Sequence, residues 1–362
     1  MSELNVYQNL KAPRTALGEP TATEMSTTPT AVHNSKSYLP GLDTLRAVAA
    51  LSVCFYHFTG GMMPKLVVPA AKAVFSQGHL GVDMFFVISG FIIPYSLVGK
   101  NHRIANFYVY MKKRVMRINP PAYISIFLVL TQAFVIDKII NKTSFYTTNL
   151  SWEQLLHNFL FTIPFTNYRW LNGVFWTLAI EFQFYLFVGL LFNVLFARRL
   201  FWFVGLYVMI GLLQYLPFTA KIELFHYSTL FALGGVALLW QQQQVSVWLY
   251  VVGLLLFGGV ACWQLGLYAA LVGVGTAVAI NTIKFKVTGF SFLGKISYSL
   301  YLLHGLIGTT AEFFLIKLLP PISDARKLVL TTVCLGLAIG GAYVFFRLIE
   351  QPFMRLASQK RR

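Results

Sequence analysis

The sequence predicts an all-α, polytopic membrane protein of about ten transmembrane helices with both termini in the cytoplasm. Three observations predict it. Of 362 residues, 57% are hydrophobic and only 11% charged, where soluble domains average about 25% charged. Apolar runs of about 20 residues, long enough to cross a bilayer, recur along the chain. With the N-terminus inside, 20 of the 29 Lys and Arg residues fall on the inner side, as the positive-inside rule demands. The net charge of +17 is thus an anchoring charge. It does not point to nucleic acid, because no basic patch with interleaved aromatics lies on a soluble surface.

The elements follow in order. Residues 1–36, rich in Thr, Ala and Pro without apolar periodicity, predict a disordered cytoplasmic tail. Nothing apolar precedes the first span, so no signal peptide is expected and that span acts as its own insertion signal. The membrane domain covers 37–354, and 355–362 form a short basic tail. Spans are expected near 42–60, 79–99, 120–138, 172–196, 200–218, 223–240, 246–262, 265–283, 293–316 and 327–347. Between the third and fourth, about 139–171, the apolar half of SWEQLLHNFLFTIPF is too short to span and reads as interfacial or re-entrant. Gln241 to Gln244 make a short polar turn. Cys54, Cys262 and Cys334 fall in apolar spans and read as small core residues. No repeat suggests an inverted-repeat transporter.

Ionisable groups inside a bilayer are expensive and normally face a bundle interior or a wet cavity. The first span, GLDTLRAVAALSVCFYHF, carries Asp43, Arg46 and His57. Arg46 and His57 are nearly three helical turns apart on one face, roughly 16 Å along the axis. They form a polar track into the membrane, or else a snorkelling Arg and a packed His. In YMKKRVMRINPPAY, Arg114 and Arg117 share a helix face at the mouth of the third span, where Asn119-Pro120-Pro121 fixes the chain. Paired guanidinium forks suit phosphate; anchoring at the inner surface is the other reading. Glu181, roughly 13 Å into its span, is followed by Gln183 and Tyr185. It is a functional carboxylate or a structural one bonded to a neighbouring helix, and it lies at a depth from which His57 is within reach.

Asp83 opens the second span, either solvated at the interface or part of a site. Ser89, beside Gly90, reads as packing rather than as a nucleophile, since no base is adjacent in sequence. Pro94 is expected to kink the helix further in. His304 sits near mid-membrane beside Tyr298 and Tyr301, as an interhelical hydrogen-bonding residue before a catalyst. No His or Cys pair has metal-ligand spacing, and neither a nucleophile elbow nor a phosphate-binding Gly-rich loop is present.

The stretches LRAVAALSVCFYH, GVDMFFVISGF, KKRVMRINPP, FWTLAIEFQFY, ISYSLYLLH and RLIEQPF occur in an order that resembles the type-3 integral-membrane acyltransferases, the OafA-like or NodX-like O-acyltransferases. The resemblance runs from about Tyr38 to Phe353. It implies a bacterial inner-membrane enzyme that moves a short acyl group, acetyl being commonest, from cytoplasmic acyl-CoA to a hydroxyl. The acceptor would be a saccharide, a lipid-linked or envelope-associated molecule, or a small molecule. No other cofactor is implied, and the lipid bilayer is the remaining partner. The family's essential His matches His57, its paired Arg match Arg114 and Arg117, its first-span Arg matches Arg46 and its Glu matches Glu181.

In that reading the arginines hold the donor, and His57 is the general base or is transiently acylated. Glu181 orients His57 or steadies its cation, while Asp83, Ser89, Tyr301 and His304 support the site or the acceptor. Gly189 stands where many members carry Pro. No hydrolase-like domain follows the last motif, so transfer is expected to end at the membrane domain. A transporter using the same buried charges as a proton relay is the alternative from another class.

Overall fold

The computed structural model describes residues 39–60, 66–140, 149–196, 200–219, 221–285, 287–320 and 323–358. The N-terminal tail expected over 1–36, the last four residues, Arg198, Arg199 and Lys286 lie outside them. Among the described residues every regular element is helical. The helices are α1 Pro40–Gly60, α2 Pro69–Ser76, α3 Gly81–Tyr95, α4 Phe107–Ile140, α5 Trp152–Phe159, α6 Phe175–Phe196 and α7 Leu200–Leu213. They continue as α8 Glu223–Gln241, α9 Val247–Leu265, α10 Leu267–Thr282, α11 Thr288–Leu303, α12 Thr309–Leu318, α13 Asp324–Phe345 and α14 Gln351–Ser358.

Among the described residues, six stretches are long and apolar enough to cross a membrane: Pro69–Tyr95, Ile104–Ile139, Phe175–Phe196, Val247–Leu265, Thr288–Leu318 and Asp324–Ser358. Helices α1 and α8 are long enough, but Asp43, Arg46 and His57 in one and Glu223 and His226 in the other lower their mean hydropathy. Helices α7 and α10 are apolar but shorter. Each of the ten expected segments contains a helix, and the chain is a multi-pass membrane protein.

Helix α3 is the hub. It packs along α8 and touches α1, α6 and α10, while α1 lies along α11. The α3–α8 approach depends on two glycines. A Cβ at Gly90 would run into the Phe231 backbone, and one at Gly234 into the Val87 and Phe91 backbone. Serine side chains cap three helices: Ser151 accepts from Gln154 N, Ser246 from Leu249 N and Ser323 from Arg326 N.

Several boundaries differ from expectation. The third segment starts at Phe107, not near 120, and runs unbroken through Pro120 and Pro121. Arg114 and Arg117 therefore sit roughly 10 and 15 Å along a helix, at 1.5 Å per residue, rather than at its mouth. Consecutive prolines remove two ladder donors. Nearby, the Ile118 carbonyl also accepts from the Tyr298 hydroxyl, at 2.8 Å. Pro94 does not kink a continuing helix, because α3 ends one residue later. The ninth segment contains a π-turn, His304–Gly308, and a second, Phe346–Glu350, begins at the end of the tenth and carries the helix past it. Cys54 and Cys334 are buried as expected, but Cys262 is exposed on α9.

Helix α5 turns its polar side inward. Gln154 and Asn158 are buried and donate to the Arg169 carbonyl, and Asn158 Oδ1 accepts from Leu171 N at 2.9 Å. Trp152 and Leu156 are left exposed. The short piece thus fixes the approach to α6 and presents an apolar side outward, as an interfacial segment would. At one end of the bundle, Asp324 accepts from Val67 N and Val68 N at 2.8 and 2.7 Å. This ties the α1–α2 connection to the start of α13.

Candidate active site

Two cavities meet inside the bundle. The first is small, about 120 Å³, and is lined by Arg46 of α1, Ser89 of α3, Arg114 and Arg117 of α4, Glu181 and Tyr185 of α6, and Tyr298 and Tyr301 of α11. Three guanidinium groups thus reach one enclosed space from two helices. Arg114 is held in place: it donates to Ser96 Oγ at 2.5 Å and lies over the rings of Tyr110 and Tyr185, 5.6 and 5.4 Å from their centroids. Arg46 and Arg117 have no hydrogen-bond or ion-pair partner among the described residues. Arg46 and Arg114 act on Arg117 as like charges. Like charges held together in a low-dielectric space repel strongly, so the arrangement favours an anion.

Glu181 lies in this arginine cavity. Its Oε1 accepts from the Tyr185 hydroxyl, one turn on, at 2.6 Å and from Ser89 Oγ at 3.2 Å. The expected pairing of Glu181 with His57 is therefore not what the structure shows. Their similar depth along two helices says nothing about the direction each side chain takes, and α6 turns Glu181 toward α3. Ser89 in turn has a carboxylate beside it, which its sequence neighbours do not reveal.

The second cavity is larger, about 690 Å³, and is lined among others by His57, His79, Asp83, Trp176, Tyr227, Tyr301 and His304. His57 is exposed on it and also borders a third cavity of about 490 Å³ beneath α2. The His57 and His304 rings are 5.0 Å apart, centroid to centroid, tilted by 43°. His304, 1% exposed, sits at the first residue of a π-turn, a device that re-aims side chains near functional sites. Its Nδ1 lies 2.8 Å from the Tyr301 carbonyl. A carbonyl only accepts, so Nδ1 carries the hydrogen and Nε2 is left as an acceptor. The bond stays within one helical run, not between helices as expected.

The two cavities share Val82 and Tyr301. The Tyr301 hydroxyl and Thr177 Oγ1 are 2.7 Å apart. Tyr301 is thus the polar element of the partition between arginines and imidazoles.

The structure therefore gathers Arg46, Ser89, Arg114, Arg117 and Glu181 on one side and His57, Asp83 and His304 on the other, with Tyr301 on both. Sequence reasoning passed over Glu350. It is 1% exposed, accepts from Ser299 Oγ at 2.6 Å and acts electrostatically on Arg117 and Arg46. Its signal was the single acid inside the apolar stretch VFFRLIEQPF. His79, in the turn before α3, had none.

An acyltransferase-domain family model matches residues 39–347. YrhL of Bacillus subtilis, whose name provisionally assigns it peptidoglycan O-acetyltransfer, is 32% identical over 159 residues, 41% of this chain and 23% of that protein. The O-acetyltransferase OatA of Staphylococcus aureus is 32% identical over 176 residues, 45% of this chain and 26% of its own. The chain thus spans about a quarter of the length of these relatives. No solved structure matches.

Proposed function

Because the chain belongs to the acyltransferase-domain family that matches residues 39–347, we propose that it is a multi-pass membrane O-acyltransferase. It takes an acetyl group from acyl-CoA on the cytoplasmic side and passes it to a hydroxyl of a saccharide or other envelope-associated acceptor. Ten spans, both termini inside and an inner-membrane location go with this reading. The names of the similar proteins, O-acetyltransferases, favour acetyl as the group moved.

The observation that carries the proposal is the arginine cavity. Three guanidinium groups face it, two of them with no hydrogen-bond or ion-pair partner among the described residues, and burying cations that lack such partners is costly. An anionic ligand offsets that cost, and the phosphates of acyl-CoA supply one. A space of about 120 Å³ holds only a few waters at about 30 Å³ each, so the donor enters with its arm and widens the cavity as it binds. Glu181 stays on the arginine side, where it fixes Ser89 and Tyr185.

The thioester end then meets the partition at Tyr301. From the other side His57 takes the proton of the acceptor hydroxyl. The oxygen attacks the thioester carbonyl, the C–O bond forms, the C–S bond breaks, and the thiolate leaves with the proton from the imidazolium. The neutral imidazole is restored. His304 packs against His57 and limits its ring orientation.

The test uses purified protein in lipid vesicles with acetyl-CoA labelled in the acetyl group. We expect saturable donor binding and release of free CoA thiol that rises when a hydroxyl acceptor is supplied. Absence of both donor binding and thiol release would sink the proposal.

A further inference from the structure

The 690 Å³ cavity has a chemical bias that speaks to what it holds. Asp83 is 8% exposed, lines the cavity, and has no hydrogen-bond or ion-pair partner among the described residues; His79 acts on it only electrostatically. A buried carboxylate without partners is costly unless a ligand supplies hydrogens. The imidazoles around it also present acceptors. His79 Nδ1 is 2.9 Å from the Ser76 carbonyl and His304 Nδ1 is bonded to Tyr301, so in both rings Nε2 is the atom left over.

Amide hydrogens that could answer them are already committed. The Asn172 amide donates to Ser125 Oγ and the Leu302 carbonyl, and Gln132 donates to the Leu306 carbonyl. The cavity's formally charged side chains are Asp83 and Asp137; no lysine or arginine lines it among the described residues. Trp176 and Tyr227, with ring centroids 5.9 Å apart, add broad aromatic faces.

We propose that this cavity binds the acceptor as an uncharged, hydroxyl-rich ring, with Asp83 receiving hydrogens from hydroxyls near the one that reacts. A saccharide unit carrying a carboxylate or phosphate at that place is rejected. The aromatic faces pack against the apolar face of the ring, and Asp83 sets the discrimination by charge. This rests on the acyltransfer reading for the cavity's role, but the selectivity is a property of binding and is measured without turnover.

The probes are the methyl glycosides of glucose, galactose and mannose, each paired with its uronate, which differs by one carboxylate. The readout is protection of His57 from carbethoxylation, followed by mass spectrometry on the full chain in detergent. At least one neutral glycoside should protect, and its uronate should need about tenfold higher concentration, as for loss of one charged hydrogen bond plus like-charge repulsion. Asp83→Asn should shrink that ratio to about threefold or less, with acetyl-CoA binding kept as the sign of an intact fold. Equal protection within each pair, no protection by any glycoside, or an unchanged ratio in Asp83→Asn overturns the inference. If acetyl-CoA also fails to bind the unaltered protein, the acyltransferase reading falls as well; if it binds, only the acceptor assignment does.

Discussion

At the residue scale the proposed chemistry divides between arginines and a histidine, and each half is tested by a substitution that spares the other. Replacing both Arg114 and Arg117 with Lys keeps the charge but loses the planar forks. Hydrogen bonds to charged groups contribute about 1.5–3 kcal/mol, so acetyl-CoA affinity should fall about ten- to a hundredfold in a protein that still inserts. Titration of donor binding measures this, and wild-type affinity in the double variant would reduce the pair to an anchor. His57→Ala should cut acetyl transfer by about a hundredfold or more, the usual contribution of a positioned general base. Donor binding should hardly change, because His57 borders the other two cavities and not the arginine one. Near-normal transfer by this variant would remove the imidazole from the mechanism.

At the scale of elements, the site depends on how closely α3 approaches α8. Asp83 and Ser89 both ride on α3, so a shift of that helix moves both cavities together. Gly90→Ala places a methyl group against the Phe231 backbone, which cannot move aside as a side chain would. Overpacking of this kind costs about 1–3 kcal/mol, and the melting temperature in detergent should drop. Gly275, also in a helix but with nothing within 4 Å of its would-be Cβ, is the control. Gly275→Ala should be neutral or stabilise by up to about 1 kcal/mol through helix propensity. Equal behaviour of the two variants would show that the α3–α8 approach is not tight. The two π-turns belong to this scale too, since they carry His304 and Glu350, one on each side of the partition.

For the whole molecule the decisive quantity is sidedness. With 20 of 29 basic residues on the assigned inner side, reporter fusions after residues 20 and 358 should both read as cytoplasmic. A reading on the opposite side for either one would break the ten-span arrangement. The bonds that Asp324 accepts from Val67 N and Val68 N join two connections that the same assignment puts on one side. The proposed reaction, with its donor on one face and its acceptor on the other, needs a route across the bundle, and the two cavities share a wall at Val82 and Tyr301.

The amino-acid sequence by itself determined the helical, membrane-embedded class, because a long run of apolar residues has few ways to satisfy its backbone in lipid except as helix. It also singled out Arg46, His57 and Glu181, ionisable residues in apolar spans that penalise charge, and Arg114 with Arg117, a guanidinium pair that suits phosphate. Helical spacing was enough to put Arg114 beside Arg117. Only the tertiary structure decided which of these groups meet. Glu181 joins Ser89 and Tyr185 among the arginines, and His57 faces His304 rather than a carboxylate. Depth along a helix follows from residue number, whereas the direction of a side chain depends on how each helix is rotated against its neighbours. That rotation is set by contacts between residues far apart in the chain, such as Gly90 with Phe231. The π-turns were invisible for the same reason: an extra residue in a helical turn changes no composition and no run length, yet it re-aims the side chains around His304 and Glu350.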